Sequence, residues 1–97
     1  MPPVARIGDP NTGEPCFPPT TALQGSPDTF ANNIGIVREG DSYGVHNCGL
    51  VVHPIKALKG SATVFVNNKS AIRQGDLMDC SPINFAHIGS PDVMFGD

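Results

Sequence analysis

The chain has no tryptophan, one tyrosine and only five phenylalanines in 97 residues. Its length suits one domain. A domain of this size buries roughly 60–65% of its unfolded surface. So little aromatic bulk implies that something besides apolar burial helps hold the fold. Stretches free of helix breakers are also missing: 11 glycines and 10 prolines run through the whole chain. They leave little room for long helices and favour short strands joined by tight turns. Positive charge is scarce. The six lysines and arginines are scattered, the net charge is −3 and the pI is near 5.4, which argues against a nucleic-acid groove. No apolar run is long enough to cross a bilayer. The opening "MPPVARIGDP" carries no secretory signal, so synthesis in the cytoplasm without a signal peptide is expected, with any export by another route. The three cysteines cannot all pair within the chain. Free or metal-bound thiols are therefore expected rather than a disulfide framework.

What the chain does have is a repeat. Residues 25–41, "GSPDTFANNIGIVREGD", and 60–76, "GSATVFVNNKSAIRQGD", agree without gaps at Gly25/Gly60, Ser26/Ser61, Phe30/Phe65, Asn32/Asn67, Asn33/Asn68, Arg38/Arg73, Gly40/Gly75 and Asp41/Asp76. Residues 89–97, "GSPDVMFGD", restart the unit, and residues 2–9 carry its closing part in Arg6-Ile7-Gly8-Asp9. Joined in space, the two partial copies would complete a third unit and close three modules around an axis. An open solenoid would instead need capping repeats. Within a unit, Thr63-Val64-Phe65-Val66 reads as a strand. Asn67-Asn68 supplies a tight turn, and Ser70-Ala71-Ile72-Arg73 returns. Residues 28–39 repeat the pattern, with Gly35 expected to weaken or bulge the return strand. The glycines, asparagines and aspartates of the repeat read as turn residues. Each repeat arginine is expected to pair with a nearby carboxylate. Val64, Val66 and Ile72 read as core.

The segments between Asp9 and Gly25, Asp41 and Gly60, and Asp76 and Gly89 read as long loops. If the hairpins share one platform, these loops converge on a point. The fold expected is all-β: a small cone of three pseudo-threefold-related β-hairpin repeats. Each loop carries one cysteine after the landmark aspartate, namely Cys16, Cys48 and Cys80. The middle loop, "HNCGLVVH", adds His46 and His53. Thiolate and imidazole suit a closed structural metal site, and an ion could replace the missing core at a narrow point. The candidate ligands are Cys16, His46, His53 and Cys80, with Cys48 able to stand in for Cys16. The alternative is that the cysteines are small buried residues. Sulfur ligands favour zinc over iron. His87, at the place of Leu23 and Leu58, reads as a packing or surface residue.

Pro3-Val4-Ala5-Arg6, with looser versions at 35–38 and 70–73, the "GS-x-x-V-F-x-N" and "R-x-G-D" elements, and "CFPPT" at 16–20 resemble the PAAR-repeat proteins. The resemblance spans essentially the whole chain, and its layout is most like the short phage-type members. It implies a cone with a metal-bound tip. The base would cap a homotrimeric β-helical spike, one copy per trimer, in a contractile phage tail or type VI secretion system. The tip would meet the target cell envelope transiently as the sheath contracts. Some members carry toxin extensions; with nothing after Asp97, only a separately bound effector is expected here. The competing reading is a small metal-dependent hydrolase or nuclease. That reading needs an open metal position and a general base, and "HNCGLVVH" contains no acid.

Overall fold

The computed structural model describes residues 1–79 and 83–96. Six strands are present among them: β1 (Phe30–Ala31), β2 (Ile34–Gly35), β3 (Ser42–Cys48), β4 (Val51–Lys56), β5 (Phe65–Val66) and β6 (Lys69–Ser70). They pair as three antiparallel hairpins, and the described residues contain no helix. The molecule is elongated, 37 × 24 × 22 Å.

Two of the hairpins come from the repeat. Asn32 and Asn33 have φ of 56° and 64°, and Asn67 and Asn68 have 54° and 66°. Two successive positive φ values make the tight turn whose twist matches its strands. Phe30 pairs with Gly35 and Phe65 with Ser70 at equivalent rungs, so the bulge expected at Gly35 is not there. Gly35 is required for another reason: a β-carbon on it would lie 2.6 Å from the Ser26 carbonyl oxygen.

The three modules close into a ring through backbone bonds that repeat around the axis. Ala5 N–H donates to Ile72 O, Val37 N–H to Ala5 O, and Ile72 N–H to Val37 O, at 2.8–3.0 Å. Flanking bridges join Arg6 to Ile36, Arg38 to Ala71 and Arg73 to Val4. The ends of the chain meet on this ring, where Pro3 bridges Met94 and Val4 N–H donates to Val93 O.

Around it the core divides into two layers. Val4, Ala31, Ile36, Val66 and Ala71 form one, with Val64, Val93 and Phe95 against it. Ala5, Ala22, Val37, Tyr43, Ile55, Ala57, Ile72, Met78 and Ala86 form the other. The repeat glycines are not all turn residues. Gly8, Gly40 and Gly75 have φ of 93°, 87° and 91° and do serve turns. Gly25, Gly60 and Gly89 serve close approach instead: a β-carbon would strike the backbone carbonyl of Ala71 at Gly60 and of Val4 at Gly89, and at Gly25 would crowd the Ile7 side chain and the carbonyls of Gly35 and Ile36.

Arginine–aspartate forks brace the ring. Arg38 donates from its backbone N–H and Nε to Asp41 Oδ2, and from Nη2 to Oδ1, at 2.7–2.9 Å. Arg6–Asp9 and Arg73–Asp76 repeat this geometry. The remaining Nη1 crosses to the next module, to Asn32 Oδ1 from Arg6, Asn67 Oδ1 from Arg38 and Gly96 O from Arg73.

Candidate metal centre

Beyond the ring the chain makes three excursions. The longest, expected as a loop, is the β3–β4 hairpin. Its register pairs Ser42 with Lys56, Tyr43 with Ile55, His46 with His53 and Cys48 with Val51, and it shifts between Tyr43 and His46. Gly44 and Val45 thus oppose Pro54 alone, and a bulge accepts a residue with no N–H to offer. The freed Gly44 N–H donates to Thr21 O on the first excursion, 2.9 Å away.

The first excursion turns at Glu14-Pro15-Cys16-Phe17. Glu14 and Phe17 exchange both backbone bonds, at 2.9 and 2.8 Å. Proline at the second position and a positive φ at the third, 71° at Cys16, describe a type II turn.

The excursions converge, as the expected fold class requires. Phe17 stacks on His53 with ring centroids 4.3 Å apart and leans on His46 at 4.6 Å. Gly13 N–H donates to Asn84 Oδ1 at 3.0 Å, and Lys56 N–H to Asp79 Oδ1 at 3.0 Å.

At this junction one ligand atom each from Glu14, His46 and His53 lies within 4.8 Å of the others. His46 is 1% exposed. Its Nε2 stands 3.3 Å from Glu14 Oε1. Glu14 Oε1, both ring nitrogens of His46 and His53 Nδ1 are all buried, with no hydrogen-bond partner. Buried polar atoms are rarely left so, and stranding several together costs heavily. A single cation among them would remove that cost. A carboxylate and two imidazoles suit zinc or iron, so the group fits a metal ion.

The expected donors therefore divide. His46 and His53 are brought together, rung to rung, on the inner face of the hairpin. Cys80 lies outside the described residues. Cys16 is not in the cluster: it is joined to Cys48 by a disulfide, with Cα atoms 5.3 Å apart. This corrects the expectation of free thiols at these positions. An odd count bars three cysteines from pairing but not two. Cys16 and Cys48 each lie seven residues past a repeat aspartate (Asp9, Asp41), on excursions that converge. Glu14 was not expected as a donor. It is the sole charged residue between Asp9 and Asp28, a signal that thiol and imidazole chemistry alone does not reveal. His87 is exposed, as are Leu23 and Leu58 at the equivalent places.

A PAAR motif matches residues 19–82, about two thirds of the chain. The protein belongs to the PAAR-motif family. No curated protein matches it. Membership associates the chain with the spike-tip or effector-carrying parts of phage and type VI puncturing devices. Members of the family are structural spike-tip proteins.

Proposed function

We propose that this PAAR protein is the tip of a membrane-piercing spike. It would cap a homotrimeric β-helical shaft, one copy per trimer, in a contractile phage tail of the T4-like kind or in a type VI apparatus. It is made in the cytoplasm and carried outward at the spike's end, where it meets the target envelope only as the sheath fires.

The observation that carries this reading is the ring of backbone bonds among Ala5, Val37 and Ile72. One chain thereby gains the symmetry of a trimer, and so can mate with three strand ends at once. An exposed apolar position repeats with it. Phe30, Phe65 and Met94 hold equivalent positions in the three modules and are 56%, 58% and 44% exposed. One large apolar side chain per module offers a threefold partner three matching contacts.

On the excursions, Glu14, His46 and His53 hold one structural ion, with zinc favoured over iron. When bound, it ties the first excursion to the β3–β4 hairpin. The protein's own contribution is orientation: Phe17 fixes both imidazole planes, and the His46–His53 rung sets their spacing. No catalytic step is required of the site.

The test is reconstitution with a β-helical spike trimer. Native mass spectrometry is expected to give one copy per trimer, and a Phe30→Glu/Phe65→Glu variant that still folds is expected to lose binding. Binding by that variant equal to wild type would overturn the contact surface. Purified protein that turns over phosphodiester or ester substrates, with loss on chelation, would favour the hydrolase reading instead. Capture of an effector in place of the spike would favour the adaptor reading.

A further inference from the structure

We infer that the Cys16–Cys48 pair is a two-electron redox switch that changes the donor set of the metal centre. This rests on the metal reading above. Each cysteine is two residues from a donor: Cys16 from Glu14 within one four-residue turn, and Cys48 from His46 along one strand. Side chains alternate across a strand. Along β3, Val45 and Asn47 are exposed, while His46 is buried and Cys48 half-buried, so Cys48 shares the metal-facing side with His46.

The turn adds a second observation. Cys16 has φ of 71°, at the third position of a type II turn, where glycine serves best. A β-carbon there is unfavourable, so what the residue contributes is its sulfur. Cys16 is also exposed and open to a reductant.

The thiolate is the ligating form of cysteine. Oxidised, the pair leaves one carboxylate and two imidazoles, with the Glu14 turn bonded to the hairpin. Reduction breaks the Sγ–Sγ bond. An external dithiol supplies two electrons and two protons and itself becomes a disulfide. Cys16 and Cys48 are then thiols, and each one that binds the ion releases its proton to solvent. Thiolates favour zinc, so reduction tightens the site. A reducing compartment loads the ion, and an oxidising one locks the tip covalently.

The experiment uses the full chain carrying Cys80→Ser, so that the third thiol cannot contribute. Metal-free protein is prepared oxidised, or reduced with a phosphine that does not compete for metal. It is titrated with Co²⁺ and, against a chromophoric chelator, with Zn²⁺. Reduction is expected to add a sulfur-to-cobalt charge-transfer band and to raise zinc affinity by about tenfold or more. Cys16→Gly with Cys48→Ser, which keeps the turn, is expected to lose both responses. On the unsubstituted chain, zinc-edge X-ray absorption is expected to count more sulfur neighbours after reduction. Equal spectra, affinity and sulfur count in the two states would overturn the switch while leaving the metal centre standing. No binding in either state would overturn both.

Discussion

Tyr43 carries its hydroxyl into the core, 2% exposed and without a hydrogen-bond partner. Burial pushes its ionisation well above the usual 10.0, and the carboxylates of Asp9, Asp41 and Asp76 add to the shift. The unfolded chain ionises near its ordinary value while the folded one stays neutral. The stability is therefore complete below about pH 10 and is lost as pH rises beyond it. Tyr43→Phe is expected to gain about 1 kcal/mol at neutral pH, by removing a stranded hydroxyl, and to flatten the alkaline limb of the melting profile. A loss of more than about 1 kcal/mol would show that the hydroxyl is satisfied. In the candidate metal centre, His53→Ala and Glu14→Gln are each expected to lose most of any metal-dependent rise in Tm, because ligand binding to the folded state alone is what raises it. A variant that keeps both its metal and its Tm would remove that residue from the site. The imidazoles were legible because histidine is rare in this chain and two of them flank one cysteine. Glu14 was not, because an acid beside a proline turn looks like any surface residue until the fold buries it.

At the scale of elements, the Asn-Asn hairpins could be read directly, since paired positive φ values demand such residues. The β3–β4 hairpin could not. Gly44 and Pro54 argue against strands, and only the bulge that sets Gly44 and Val45 opposite Pro54 reconciles them with a ladder. The Gly-Ser corners were legible as landmarks but misread in their physics. The serines cap the following backbone: Ser61 Oγ accepts from Thr63 and Val64 N–H at 3.2 and 2.9 Å. The glycines let each corner lie against the return segment of its own module, Gly25 on Gly35 and Ile36, Gly60 on Ala71 and Gly89 on Val4. Gly60→Ala would press a β-carbon against the Ala71 carbonyl, where backbone rather than a flexible side chain must yield. It is expected to cost about 2–3 kcal/mol, read as a shift in denaturant midpoint at unchanged slope. Gly40→Ala, at a position with open space but φ of 87°, is expected to cost about 1 kcal/mol. Equal costs would mean that the Ala71 carbonyl gives way and that close approach is not what requires glycine at position 60.

At the scale of the molecule, polar bridges between modules complement the small core. Asn32 Nδ2 donates to Asp92 Oδ1 at 2.7 Å, and Asn67 Nδ2 to Asp28 Oδ1 at 3.0 Å. These asparagine bonds, followed by serine hydroxyls, hold both carboxyls below their usual 3.8. A carboxyl with a lowered folded value contributes stability above its unfolded pKa and loses it as pH falls through the folded one. Stability is therefore expected to begin to fall below about pH 4, with Asp92→Asn giving a shallower acid limb. An unchanged acid limb in that variant would exclude Asp92 from ring closure. The ring itself shows why repeat spelling reveals more than composition does. Six charged groups, Arg6, Asp9, Arg38, Asp41, Arg73 and Asp76, recur at fixed places, and each arginine reaches into the next module. How neighbouring modules interlock, with Arg6 against Ile36 and Arg38 against Ala71, is a property of the closed ring that no single unit encodes.

The central claim is that one closed chain gathers its excursions around a single ion held by Glu14, His46 and His53. Anomalous diffraction at the metal edge, from crystals of protein purified without added chelator, tests it most directly. One peak per chain, within bonding distance of those three side chains, is the result expected. A peak held by other residues, or none in crystals whose Glu14, His46 and His53 side chains are well ordered, would contradict it.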